Sequence, residues 1–204
     1  MSKMRKQQYI LLILLCLSIT VRAQDSSSSP FLKKLIPTGA QGQFAGNIGM
    51  ISIGPNWNLY KEKIHLEYSF GVVPENEFLK PIYSSALKLR FTPWKINIDD
   101  KTHLYPASLG IAMNYTYGER YNKYNNPGQY ERGYYWWTTA MRFGTFYQIE
   151  ISRSFDTKFF KEAGVYFETS IWDLDLYNYS ANENYMELSY MELLTLGAGF
   201  RIYF

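Results

Sequence analysis

Cysteine is almost missing from this sequence: Cys16 is the only one among 204 residues. It lies in the opening segment MSKMRKQQYILLILLCLSITVRAQ, where a basic leader precedes a short apolar run. The small residues Val21 and Ala23 complete the pattern of a secretory signal peptide, which we expect to occupy residues 1–23. Cleavage would remove Cys16, and this excludes disulfides, a thiolate nucleophile and cysteine-ligated metals from the mature chain.

An excess of positive charge is also missing once this leader is removed. The whole sequence has 21 basic and 18 acidic residues, and the leader holds four of the basic ones and none of the acidic ones. The remaining 17 basic and 18 acidic residues give a net charge of −1, which does not favour a nucleic-acid partner. After residue 23 there is no run of eighteen apolar residues, so no membrane-spanning helix is predicted.

Aromatic residues and strand-like alternation are abundant. Aromatic side chains make up 18% of the sequence, with 19 tyrosines. Residues 24–40, which include the stretch DSSSSP, are expected to form a flexible periplasmic lead-in. Residues 41–204 alternate between apolar and polar side chains with a period of two, which is typical of β-strands. The last stretch is the clearest, with one apolar face formed by Leu194, Leu196, Ala198, Phe200, Ile202 and Phe204.

These segments predict an all-β fold, an antiparallel transmembrane up-and-down β-barrel of eight strands over residues 41–204. Only seven strands can be counted directly. Residues 44–60 resemble one long strand whose apolar phase changes near Met50, as a β-bulge would cause. A barrel with both ends on one side needs an even number of strands, and about 20 residues per strand and loop gives eight. The eighth strand is expected before or within residues 31–60, unless two strands are merged elsewhere.

The polar face of the predicted strands carries charge in mid-strand, mixed with glycine, alanine and serine. This mixture is typical of the crowded interior of a narrow barrel, and it predicts an occluded polar lumen. The charged members are Glu67, Lys88, Arg90, Arg142, Glu150, Glu168 and Arg201. Aromatic residues gather at the strand ends, as in interfacial girdles. The expected girdle residues are Tyr115, Tyr117 and residues 134–137 at one level, and Trp57, Tyr60, Trp94 and Phe204 at the other.

The final strand ends on an aromatic residue, and with this feature the chain resembles the outer-membrane β-barrels of Gram-negative bacteria. In that family the barrel-assembly machinery recognises the C-terminal strand, and Phe200, Ile202 and Phe204 match its pattern. The resemblance implies a monomer in the cell outer membrane, in contact with outer-membrane lipid and lipopolysaccharide. Short connections at 61–63, 96–103 and 153–162 would face the periplasm, and the longer ones at 74–82, 119–133 and 178–190 would lie outside.

Catalytic candidates are few, because only His65 and His103 follow the leader. His65, Glu67 and Ser69 share the inward phase, but side chains two residues apart on a strand are about 6.6 Å apart, too far for a direct relay. We therefore interpret His65 as a polar residue of the lumen and His103 as a solvated residue of a short turn. No histidine or carboxylate cluster predicts a metal site, and no cofactor is predicted.

The function predicted from these features is a structural or surface-interaction barrel without catalysis. The tyrosine-rich connection that begins at Glu119 could provide an adaptable contact surface. The alternative is a lipid A-modifying enzyme of the deacylase or acyltransferase type, which would need a serine and an acid beside His65 from another strand. A soluble lipocalin-like carrier would share the alternation with its faces exchanged, and it is disfavoured because it would place the arginines and glutamates outside.

Overall fold

The structure is a computed structural model that describes residues 35–75, 77, 80–121, 138–181 and 190–204. The predicted signal peptide, residues 1–23, and residues 24–34 of the lead-in lie outside this range. Residues from Pro37 to Phe204 form one compact unit. Its strands are β1 Gly39–Ala45, β2 Ile51–Tyr60, β3 Ile64–Val73, β4 Ile82–Phe91, β5 Ile96–Asn97, β6 Thr102–Thr116, β7 Met141–Ser154, β8 Glu162–Trp172 and β9 Thr195–Tyr203. A helix α1, Asp173–Ala181, follows β8, and short 3-10 helices occur at Glu119–Tyr121 and Tyr190–Leu193.

Eight of these strands close into an antiparallel up-and-down β-barrel, which confirms the predicted fold class and strand number. Each long strand pairs with its sequence neighbours, and β1 pairs with β9 to close the ring. The two-residue strand β5 is additional: β4 pairs with β6 directly, and β5 pairs with the first residues of β6. The barrel strands contain 7 to 15 residues.

The strand missing from the sequence-based count is β1. The interpretation of residues 44–60 as one bulged strand is wrong, because the chain reverses between Ala45 and Ile51. Four residues in this reversal have positive φ: Ala45 at 60°, Gly46 at 83°, Asn47 at 65° and Gly49 at 128°. Left-handed backbone of this kind makes a tight hairpin connection. A phase change of one residue therefore marked a turn between two paired strands.

The barrel has a polar interior and an apolar exterior. Successive side chains of a strand point to opposite faces, so each strand contributes alternately to both. In β7, for example, Glu150 is 1% exposed, while its neighbours Ile149 and Ile151 are 45% and 43% exposed. The buried residues include many serines, glutamines and charged side chains, and the exposed ones include large aliphatic and aromatic side chains on every barrel strand.

The two ends of the barrel differ in their connections. Among the described residues, we define the turn end by residues 61–63, 92–101 and 155–161 and by Phe204, and the loop end by residues 46–50, 74, 75, 77, 80, 81, 117–121, 138–140, 173–181 and 190–194. Residues 96–103, predicted as a plain turn, contain β5 and the start of β6, so His103 lies in a strand.

Ring contacts join some of the predicted girdle residues at the loop end. Tyr115 and Tyr117 have ring centroids 5.2 Å apart, and the ring of Phe70, which was not predicted to belong to the girdle, lies 6.4 Å from that of Tyr117. Residues 134–137 of the predicted girdle lie outside the described residues. Among the described residues, no helix is both long and apolar enough to cross a membrane.

Candidate functional site

The barrel interior holds a charged network that is almost completely buried. Three cations and three carboxylates of the described residues are buried there, so their formal charges cancel. They are Lys88, Arg90 and Arg201 together with Glu67, Glu150 and Glu168. Burying a charge is costly unless it is paired and hydrogen-bonded. The interior can therefore hold these six charged side chains only because the cations and the carboxylates are equal in number.

One cluster of the network surrounds Arg201. The Arg201 guanidinium donates Nη2–H to Glu67 Oε1 at 2.9 Å and Nη1–H to Glu150 Oε2. The Arg90 guanidinium donates Nε–H to the same Glu67 oxygen at 2.6 Å. The Arg201 guanidinium also stacks 4.4 Å from the ring centroid of Tyr166. Residues from β3, β4, β7, β8 and β9 therefore meet in one cross-barrel contact.

A second cluster surrounds the Lys88 ammonium nearer the loop end. Lys88 Nζ donates to Glu168 Oε2 at 2.6 Å and to Gln43 Oε1 at 3.0 Å. Gln43 Nε2–H in turn donates to Glu168 Oε1 at 3.2 Å. Gln148 links the clusters, since its Nε2–H donates to Glu168 and its Oε1 accepts from Arg201. Gln43 lies on β1, the strand that could not be identified from the sequence. The sequence therefore did not predict Gln43 as a hydrogen-bond partner of Lys88 and Glu168.

Arg142, predicted to belong to the interior network, lies apart from it. Its Nη1 is 3.8 Å from Asp173 Oδ2 at the start of α1, and the two side chains are 25% and 22% exposed. The inward phase of Arg142 continues from the lumen to the loop end, where the barrel opens. Sequence phase alone does not distinguish a residue in the middle of a barrel from one at its rim.

His65, Glu67 and Ser69 all point into the barrel, but they do not form a relay. His65 Nε2 is 3.0 Å from the backbone oxygen of Glu62, and its Nδ1 is buried without a hydrogen-bond partner among the described residues. Glu67 is engaged by the two arginines, and Ser69 Oγ accepts from Gln41 Nε2 at 3.1 Å. Each of the three side chains therefore has different partners.

A cavity of about 250 Å³, lined mainly by polar and charged residues, opens at the turn end of the barrel. Its wall includes two cations, two carboxylates, His65 and the phenol of Tyr105. The charged members are Arg90, Lys161, Glu62 and Glu162. Tyr105 donates its hydroxyl to Glu162 Oε1 at 3.2 Å, and Ser152 donates to the same oxygen.

Next to this cavity, His103 contacts other side chains through both ring nitrogens, whereas the ring nitrogens of His65 contact no side chain in the part of the chain that the structure describes. His103 Nε2 is 3.1 Å from Ser154 Oγ, and His103 Nδ1 is 3.0 Å from Asn97 Oδ1. The three residues come from β6, β7 and β5 and are each partly exposed or exposed. The sequence could not reveal this arrangement, because it depends on the pairing of the two-residue strand β5 and on the register between β6 and β7.

No group of three or more histidine, cysteine, aspartate or glutamate side chains that could hold a metal ion occurs among the described residues. Comparisons with protein families, with curated proteins and with solved structures found no match to this chain.

Proposed function

We propose that this chain is a small, monomeric outer-membrane β-barrel of a Gram-negative bacterium, with a structural or surface-interaction role. In this proposal residues 1–23 are the signal peptide, the turn end faces the periplasm and the loop end faces outward. The partners are outer-membrane lipid and lipopolysaccharide, with the barrel-assembly machinery acting during biogenesis through Phe200, Ile202 and Phe204.

The observation that carries the proposal is the polarity of the closed barrel. Monomeric soluble proteins rarely expose contiguous apolar patches of more than a few hundred Å². Here large apolar side chains are exposed around the whole circumference, including Phe70, Leu89, Ile111, Phe167 and Phe200. Charged side chains occupy the interior, where a soluble carrier would have its apolar lining. This arrangement suits a hydrocarbon solvent outside and a polar core inside.

Strand length is consistent with the same location. The strands β2, β3 and β4 each have 10 residues. At about 3.3 Å per residue and a tilt of about 40°, such a strand rises about 25 Å, which is the height of the apolar band of outer-membrane barrels.

The packed interior favours a barrel that does not conduct. Eight strands leave a lumen that side chains can just fill, and the two ionic clusters with Gln148 between them span it. We infer that these residues serve the fold. The alternative of a lipid A-modifying enzyme centred on His65 gains no support from the contacts of that residue, and it stays a prediction.

The test is refolding of the chain without residues 1–23, compared in plain buffer and in detergent micelles. The proposal expects a folded monomer only in micelles, with β-sheet circular dichroism and migration on gels that changes on boiling. A folded, soluble monomer in plain buffer would contradict the membrane assignment. Membrane fractionation of cells that express the full chain then distinguishes the outer membrane from other locations.

A further inference from the structure

We propose that Ser154, His103 and Asn97 form a hydrolytic site for carboxylic esters at the turn end, with Ser154 as the nucleophile. This activity goes beyond the structural role proposed above. The access of membrane lipids to the site rests on that proposed function, whereas the chemistry of the three side chains does not.

The hydrogen bonds of His103 fix its role. The Asn97 Oδ1 atom can only accept, so His103 Nδ1 carries the proton and donates it across 3.0 Å. His103 Nε2 is then the free lone pair, and it accepts the hydroxyl proton of Ser154 across 3.1 Å. A nucleophile, a base and a group that orients the base are thus joined in series through the two ring nitrogens, which is the arrangement that activates serine in hydrolases.

The sheet places these three side chains on one face. Asn97 lies directly opposite His103 in the β5–β6 ladder, and His103 lies directly opposite Ser152 in the β6–β7 ladder. Ser154 is two residues beyond Ser152, so it lies on the same face and diagonally across from His103. Ser152 is buried inside the barrel, and Ser154 continues this inward phase at the open mouth.

The backbone around the site is fixed by local hydrogen bonds. The Ser154 amide donates to the Lys101 carbonyl at 2.7 Å, which ties β7 to the connection between β5 and β6. The amides of Lys101 and Thr102 donate to Asp99 Oδ1 at 2.8 and 2.6 Å, and these bonds lower the pKa of Asp99. The short strand that carries Asn97 is therefore held against β6 by its own turn.

The surroundings indicate an amphiphilic substrate. Glu162, the cross-strand partner of Ser154, and Tyr105, which follows His103 on the same face, both line the polar cavity of about 250 Å³. The cavity wall carries both cations and carboxylates, Arg90 and Lys161 with Glu62 and Glu162, so it suits a small polar head group. On the other side, the exposed residues Ile96, Ile98 and Phe155 flank Asn97 and Ser154 in sequence. We infer that the substrate is a fatty acyl ester with a small polar head group.

The reaction is ester hydrolysis through an acyl-enzyme. Ser154 Oγ attacks the ester carbonyl carbon while His103 Nε2 takes the hydroxyl proton. The bond from this carbon to the alcohol oxygen then breaks, and the alcohol leaves with the proton from His103. Water attacks the acyl-serine, gives a proton to His103 and releases the carboxylic acid as Ser154 recovers its proton. One ester and one water become one acid and one alcohol, with no other reactant.

The test uses the refolded chain without residues 1–23, in octyl glucoside micelles or, if it folds there, in plain buffer. The probes are a fluorophosphonate, followed by mass spectrometry of the labelled peptide, and hydrolysis of p-nitrophenyl hexanoate. We expect labelling at Ser154, and loss of labelling with at least about a 100-fold lower kcat in Ser154→Ala and in His103→Ala. Ser85→Ala is the matched control, because its partly exposed hydroxyl contacts Tyr117 at the loop end, and it should keep full activity.

Asn97 is a positioning residue and needs a separate readout. Asn97→Ala should lower kcat about tenfold or more and leave KM unchanged, whereas Asn97→Asp, which keeps an acceptor for Nδ1–H, should restore kcat. A wild type that is folded yet neither labelled nor active would overturn the inference, as would equal labelling of Ser154→Ala. Folding is scored independently by circular dichroism, so failure of this site and failure of the membrane proposal are distinguishable.

Discussion

At the scale of single residues, the interior of this barrel depends on matched charges. Lys88 and Glu168 have side chains that are 2% and 1% exposed, and the Lys88 ammonium has both oxygens of the carboxylate within 2.7 Å. Removing one partner of such a pair leaves the other charge buried and uncompensated, which typically costs 3–5 kcal/mol. Removing both partners together costs much less, because no unpaired charge stays behind.

We therefore predict that Lys88→Met lowers the free energy of unfolding by about 3–5 kcal/mol and that the double variant Lys88→Met/Glu168→Gln recovers more than half of this loss. Urea unfolding in lipid vesicles, followed by tryptophan fluorescence, measures both changes. Arg142→Met is the matched control: it removes a partly exposed pair at 3.8 Å and should cost less than about 1 kcal/mol. Equal losses in Lys88→Met and Arg142→Met would show that the Lys88 pair is not desolvated.

The contacts of single residues are the feature that the sequence predicts least well. The inward phase of Glu67, Lys88, Arg90, Glu150, Glu168 and Arg201 could be read from alternation, because a strand puts every second residue on the same face. The partners of these residues could not, since they lie across the barrel and depend on register. The same limit applies to His103: the sequence predicts a solvated turn residue, whereas its contacts with Ser154 and Asn97 depend on two separate strand pairings.

At the scale of elements, the connection between β1 and β2 decides how many strands the barrel has. Gly49 has a φ of 128°, which side chains with a Cβ rarely adopt, and a Cβ there would lie 2.8 Å from the Val72 backbone nitrogen. Gly118 has nearly the same φ, 126°, but a Cβ there would meet only the Tyr121 ring, at 3.4 Å. The two glycines therefore separate the cost of the backbone conformation from the cost of a clash.

We predict that Gly118→Ala lowers the free energy of unfolding by about 1–2 kcal/mol through its backbone conformation alone. Gly49→Ala should cost a further 1–3 kcal/mol or so, because its Cβ also overlaps with β3. The same urea unfolding in vesicles measures both variants. If Gly49→Ala lowers the free energy of unfolding no more than Gly118→Ala does, this hairpin connection does not pack closely against β3.

The hairpin also shows why the sequence revealed seven strands and the structure has eight. In residues 44–60 the apolar phase shifts by one position, and a bulge and a tight turn both produce such a shift. Strand β1 has only seven residues, Gly39–Ala45, and the turn follows it at once, so its alternation does not stand out in the sequence. The closing strand β9 could be recognised, since the six apolar positions from Leu194 to Phe204, four of them within β9, alternate without interruption.

At the scale of the whole molecule, the filled interior predicts a barrel that does not conduct ions. Arg201 and Gln148 connect the two ionic clusters across the lumen, and eight strands leave an interior that side chains can fill. We expect no stable single-channel steps when the refolded protein is added to planar bilayers. A general porin in the same bilayers serves as the positive control, and large, stable steps from this chain would contradict the occluded interior.

The proposal places the outside of this barrel in contact with hydrocarbon, and site-directed spin labelling can test this contact. The chain without residues 1–23 has no cysteine, so single labels can be attached at Ile111→Cys and Val165→Cys on the exterior and at Asp100→Cys in the turn between β5 and β6. In lipid vesicles we expect both exterior labels to collide more often with oxygen than with a water-soluble nickel complex, and the Asp100 label to show the reverse. Exterior labels with the same nickel accessibility as the Asp100 label would contradict the contact with hydrocarbon.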